Sequence, residues 1–137
     1  MSKTTIPATD PARSATVSIG GEEFELVLTT RATRVIAERY GGLEHLGEAL
    51  ETSSDLGTTL GEVIWLITLL ANQSVAIHNL RHPDSTRPEL TEEAVELLTV
   101  PADLADYRGA IAEALQRGTR RVIATEPDPK VTKAKAG

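Results

Sequence analysis

Residues 59–80 limit most strongly how this chain can fold, because they are apolar on two sides of a helix. Thr59 and Glu62 form the pattern of a capping box, which predicts that a helix begins there. Projected onto a helix, one side carries Leu60, Val63, Ile64, Ile67, Leu70 and Ala71, and the other carries Trp65, Leu69, Ala76 and Leu80. Either helices of the same domain cover both sides, or the second side is left for a partner.

A β-hairpin is predicted ahead of this helix. Five apolar residues alternate with other residues on either side of a glycine pair: Val17, Ile19, Phe24, Leu26 and Leu28. Gly20 and Gly21 supply the positive φ angles that a tight two-residue turn requires. The alternation places the five side chains on one face, and a lone hairpin is marginal in water. That face must therefore pack on helices.

Four further helices are predicted from caps and spacing: one at about 30–40, a shorter one marked by apolar residues at 43–50, one that starts after Thr91, and one that runs from Pro101 to Gly118. With the central helix counted as the third, Gly41 ends the first helix, Thr91 caps the fourth, and Gly118 is placed to end the fifth. The expected fold class is α+β and mostly α, with an N-terminal two-stranded β-hairpin packed on a bundle of about five helices. Residues 1–14 are predicted to be a disordered arm, 15–123 a single globular domain, and 124–137 a disordered tail.

Composition limits the partners. The net charge of -6 repels phosphate backbones, so no nucleic acid partner is expected. The basic cluster of Arg117, Arg120 and Arg121 follows a predicted helix, where cations favour the helix dipole. The longest apolar run, 63–71, is interrupted by Thr68 and is shorter than the roughly 20 residues of a membrane span. We therefore expect a cytoplasmic protein without a membrane partner.

The chain lacks the local patterns of the common catalytic and metal sites. His78 and His82 have the four-residue spacing of helical metal ligands, but no HExxH pattern surrounds them and no third histidine is near in sequence. There is no cysteine, no GxSxG elbow and no glycine-rich phosphate loop. The expectation is a binding protein that is not an enzyme, with no catalytic, cofactor-binding or metal site and no cofactor.

The order of predicted elements resembles the small tail assembly chaperones of long-tailed bacteriophages and prophages, including the related family of gene-transfer agents. A hairpin leads into a helix broken by glycine, a long apolar helix follows, and an "LTEEAV" segment opens a later helix. The residues that carry the resemblance are Leu28, Thr30, Ala32, Ile36, Gly41 and Gly42, and then Leu90, Thr91, Glu92, Glu93 and Val95. The resemblance spans residues 16–123.

The resemblance implies a non-catalytic protein that binds the tape measure protein and helps tail tube subunits polymerise around it. Such a chaperone stays in the cytoplasm of the bacterial host and is absent from the mature virion. The candidate partner-binding residues are Trp65, Leu69, Ala76 and Leu80. Two alternatives stay open: a structural tail or connector protein of a phage, and a small bacterial regulatory adaptor. Self-association is also left open.

Overall fold

Two N-terminal strands form the predicted antiparallel hairpin. The computed structural model describes residues 10–46 and 55–119. Strand β1 (Ser14–Ile19) pairs with β2 (Glu22–Val27), with Val17 opposite Phe24. Gly20 and Gly21 have φ angles of 61° and 85°, as a two-residue primed turn demands. The predicted apolar face is confirmed, since all five of its side chains are buried.

One long helix lies at the centre of the molecule. Helix α2 (Leu56–Arg81) packs against β2, and helix α4 (Leu104–Thr119) packs against β1 and α2. The large side chains with almost no exposure come from the hairpin and several helices and form one core: Ile19, Leu26, Ile36, Leu46, Val63, Leu66, Ile67, Leu70, Val75, Val95 and Ile111. The prediction of a mostly α fold built on a hairpin is confirmed.

The other helices begin where the caps predict. Helix α1 (Thr30–Tyr40) has Thr29 as its N-cap, and the Thr29 side chain accepts a hydrogen bond from the Ala32 N–H at 3.0 Å. It ends at Gly41, whose φ of 82° is left-handed. Helix α3 (Glu92–Leu98) is capped by Thr91 through the Ala94 N–H. A 3₁₀ turn, Pro101–Asp103, leads into α4.

The number of helices and the structure of residues 10–14 differ from the prediction. The described residues contain four α-helices rather than about five. The helix predicted at 43–50 starts as a 3₁₀ turn, Leu43–His45, and its last four residues lie outside the described part. Residues 10–14 are not a disordered arm, because Pro11–Arg13 forms a 3₁₀ turn and Ser14 begins β1. The predicted boundary at residue 123 and the predicted tail also fall outside the described residues.

The ends of two helices have causes other than the predicted ones. Helix α2 begins at Leu56, where Asp55 accepts hydrogen bonds from the Thr58 N–H and hydroxyl, so the predicted capping box at Thr59 is wrong. Helix α4 continues through Gly118 to Thr119. A Cβ at Gly118 would come within 2.6 Å of the Leu28 Cβ. Gly118 therefore permits close packing of α4 on the hairpin and does not end the helix.

Helix α2 is long and apolar enough to cross a membrane, by length and composition alone. An 18-residue window has a mean hydropathy of 1.5. The apolar run 63–71 underestimates the length of this apolar segment, because isolated Thr, Gln and Ser residues hardly lower a window average. Of that window, 56 % is buried inside the protein, and the core helix of a soluble protein passes the same test.

Candidate interaction surface

The four predicted partner-binding residues lie along one side of α2. We call Trp65, Leu69, Ala76 and Leu80 the α2 stripe. At 3.6 residues per turn they fall within a narrow sector of the helix surface. Trp65, Leu69 and Ala76 are half-buried, whereas Leu80 is 81 % exposed. The α2 stripe is therefore covered at one end and open at the other.

The covered end is packed under a polar cluster from α1. The Arg39 guanidinium lies 4.2 Å from the centre of the Trp65 ring, and the Tyr40 ring meets Trp65 edge-on at 6.0 Å. Glu62 accepts hydrogen bonds from the Tyr40 hydroxyl and from two Arg39 nitrogens. Glu62, one turn before Trp65, thus holds both side chains over the indole.

The charges of this cluster are coupled. Burial raises the pKa of Tyr40 to about 12, and its hydrogen bond to Glu62 adds to the shift. Burial alone would raise the pKa of Glu62, but hydrogen bonds from Tyr40 and Arg39 and the Arg39 charge outweigh it, so that pKa is lowered. The cluster therefore favours the ionised form of Glu62 and the protonated form of Tyr40.

The open end borders a groove. Its volume is about 500 Å³, and its lining comprises Thr29, Arg31, Gln73, Ala76, Ile77, Asn79, Leu80 and Glu89. Gln73 is buried, accepts a hydrogen bond from the Thr29 hydroxyl at 2.6 Å and donates to the Leu69 carbonyl at 3.1 Å. The bond from Thr29 joins the start of α1 to α2, and the two bonds together satisfy the buried amide.

The chain between α2 and α3 is tied to α2 by two asparagines. Asn72 donates to the Leu90 carbonyl at 2.8 Å and accepts from the Leu90 N–H at 2.7 Å. Asn79 does the same with Arg87, at 2.9 and 2.8 Å. Each amide side chain thus satisfies both backbone groups of one residue, as a neighbouring strand would. The connection, residues 82–91, forms one wall beside the α2 stripe.

The two histidines considered as metal ligands support the same connection. Their rings stack with centres 4.7 Å apart. His78 Nε2 donates to the Ser85 carbonyl at 2.8 Å, and His82 Nδ1 lies 3.2 Å from the His78 carbonyl. Among residues 10–46 and 55–119, no group of three or more His, Cys, Asp or Glu side chains is placed to hold a metal ion.

Arg117, which the sequence groups with Arg120 and Arg121, has a structural role. Its guanidinium donates to the carbonyls of Pro11 and Ser14, at 3.1 and 2.7 Å, and pairs with Glu113. These bonds hold the 3₁₀ turn Pro11–Arg13 and the start of β1 against α4. Arg120 and Arg121 lie outside the described residues.

A second set of exposed apolar side chains was missed at the sequence level. Leu97, Leu98 and Val100 are 79 %, 53 % and 58 % exposed, at the end of α3 and just after it. The run "LLTV" signals apolar character, but a helix of seven residues is too short for periodicity to show which side is buried.

Comparison with protein-family models, with curated proteins and with solved structures gave no match. The assignment of function therefore depends on the surface described above and on the resemblance in the order of elements.

Proposed function

We propose that this protein is a non-catalytic tail assembly chaperone, which holds an apolar segment of the tape measure protein on the α2 stripe while tail tube subunits polymerise. The observation that carries the proposal is the open end of that stripe. Leu80 is 81 % exposed beside a groove of about 500 Å³. Leu80 continues the half-buried Trp65, Leu69 and Ala76 as one apolar stripe, and a contiguous apolar patch, unlike a lone exposed side chain, marks an interaction surface.

The shape of the surface suits holding and release. Trp65 is half-buried beneath Arg39 and Tyr40, so only the Leu80 end offers open apolar surface before a partner arrives. The net charge of -6 favours solubility while that surface is free. The resemblance in element order adds the identity of the partners, the host cytoplasm as the place of action, and absence from the finished particle.

The test is co-expression with a tape measure protein encoded in the same genome, followed by measurement of the soluble tape measure protein. Leu80→Ser is expected to lower that amount several-fold, because it removes the open apolar contact. Leu56→Ser is the matched control, since Leu56 is 68 % exposed and lies at the opposite end of the same helix, about a third of a turn away from Leu80. An equal effect of the two variants would contradict the α2 stripe as the binding surface.

Mass spectrometry of purified particles separates the chaperone from a structural tail protein. A chaperone is expected to be absent from particles while abundant in the lysate. Its presence at a fixed ratio to the tail tube protein would contradict the proposal.

A further inference from the structure

A second apolar surface lies at the end of α3. Of the five large apolar side chains that are exposed in the described residues, three occur together here: Leu97, Leu98 and Val100. Val100 also borders an apolar groove of about 210 Å³, whose lining includes Leu60, Ile64, Pro101 and Leu104. An apolar side chain of a partner could enter that groove beside Val100.

This surface is on the opposite side of α2 from the α2 stripe. The pair Leu60 and Ile64 is on average about 140° around the helix from the pair Trp65 and Leu69. The two surfaces are thus separate, and the inference below stands whether or not the chaperone proposal holds.

The acidity of the protein is concentrated in the stretch of chain that carries this surface. Six acidic residues and no Lys or Arg occur between Arg87 and Arg108: Glu89, Glu92, Glu93, Glu96, Asp103 and Asp106. Without these six, the 14 remaining acidic residues equal the 14 Lys and Arg, so this short stretch accounts for the whole net charge of -6. The rest of the chain carries equal numbers of acidic and basic residues.

Carboxylates border the exposed apolar side chains on both sides. Glu96 lines the apolar groove beside Val100. Asp103 and Asp106 line a hollow of about 450 Å³ that reaches Leu98. Within residues 10–46 and 55–119, none of the six acidic residues forms an ion pair with Lys or Arg.

We propose that this acidic-apolar face, formed by Leu97, Leu98 and Val100 with the carboxylates of Glu92, Glu93, Glu96, Asp103 and Asp106, binds a basic amphipathic helix of a partner protein. An apolar side chain of that helix enters the groove beside Val100, and its Lys or Arg side chains pair with the flanking carboxylates. Charge complementarity selects this occupant. A second copy would bring like charges together, and an anionic lipid or nucleic acid surface would be repelled.

The probe is a fluorescein-labelled amphipathic peptide of Leu and Lys, about 18 residues long so that a helix can form. Fluorescence anisotropy with the full chain is expected to show binding that weakens as salt rises from about 50 to about 300 mM. The paired substitution Leu97→Ser with Val100→Ser is expected to weaken binding about tenfold, and Glu93→Lys with Glu96→Lys by a similar factor. Gln116→Ser, at an exposed position near the end of α4 and outside both apolar surfaces, is expected to leave binding unchanged.

Four results would overturn the proposal. The first is equal binding of a peptide with Glu in place of Lys. The second is unchanged binding after Leu97→Ser with Val100→Ser, because charge alone would then explain it. The third is peptide binding that appears only after Lys130, Lys133 and Lys135 are changed to Gln. In that case the basic C-terminal segment of this chain, and not a partner, would be the occupant of the face. The fourth is self-association by sedimentation that Leu97→Ser abolishes, which would assign it to a second copy.

Discussion

The two asparagines that hold the 82–91 connection make the strongest test of the structure. Asn72→Ala removes two hydrogen bonds to Leu90, of 2.8 and 2.7 Å, in a half-buried position. At about 1 kcal/mol for each bond the loss is about 2 kcal/mol. Alanine is the better helix former by about 0.6 kcal/mol, so the expected net destabilisation is about 1.5 kcal/mol. The same change at Asn79 is expected to cost less than about 0.7 kcal/mol, because water replaces hydrogen bonds at that exposed site.

Urea unfolding measures this difference, with Trp65 as reporter because it is the single tryptophan of the chain. For a domain of this size, 1.5 kcal/mol corresponds to a fall in the urea midpoint of about 1 M. The Leu90 amide is also expected to lose hydrogen-exchange protection. Gln116→Ala, at an exposed position of α4, is the control and is expected to change stability by less than about 0.5 kcal/mol. Equal midpoints for Asn72→Ala and wild type would refute the double hydrogen bond.

Three further substitutions test the packing and the charges. Gly118→Ala is expected to destabilise by about 2 kcal/mol in urea unfolding, since its Cβ would meet the Leu28 Cβ at 2.6 Å. Gly109→Ala on the same helix is the control: its Cβ would meet nothing within 4 Å, and it is expected to stabilise the protein by about 0.7 kcal/mol. A similar loss of stability at both positions would refute the close packing of Gly118 on Leu28. Thr68→Val is expected to raise stability by about 1 kcal/mol, because the buried Thr68 hydroxyl lacks a hydrogen-bond partner among the described residues; a loss of stability would argue against this. Because the folded protein lowers the pKa of Glu62 below its ordinary value of 4.5, the stability from that carboxylate is present above this pH and is lost as the pH falls. Glu62→Gln is therefore expected to cost about 1 kcal/mol at pH 7 and much less at pH 3, and a difference independent of pH would contradict the cluster.

Local signals were sufficient to predict the hairpin and the start of the first helix. The alternation around Gly20 and Gly21 depends only on backbone geometry, and the cap at Thr29 and the stop at Gly41 are set by residues within one turn of each helix end. Such features can be read from sequence because neighbouring residues produce them.

The wrong predictions concern residues whose role depends on distant contacts. Glu62 has the spacing of a capping box with Thr59 but binds Tyr40 and Arg39 on another helix. Gly118 looks like a helix stop but accommodates a side chain 90 positions earlier in the chain, Leu28. Of the candidate partner-binding residues, periodicity placed all four on one side of α2. It could not show that Leu80 is open while Trp65 is half-covered, because that depends on where α1 and the 82–91 connection pack.

The paired asparagines also set the length of the chain beside α2. Asn72 and Asn79 are seven residues apart, which is about 10.5 Å along a helix. Their partners Leu90 and Arg87 are three residues apart in extended chain, which is about 10 Å. Seven helical residues and three extended residues therefore measure the same distance, so one residue added or removed between Arg87 and Leu90 would leave one asparagine without its partner. Between His82 and Ser85 the chain turns away from this alignment, and a change in length there leaves both pairs intact. An insertion between His82 and Ser85 is thus expected to destabilise the protein less than one between Arg87 and Leu90.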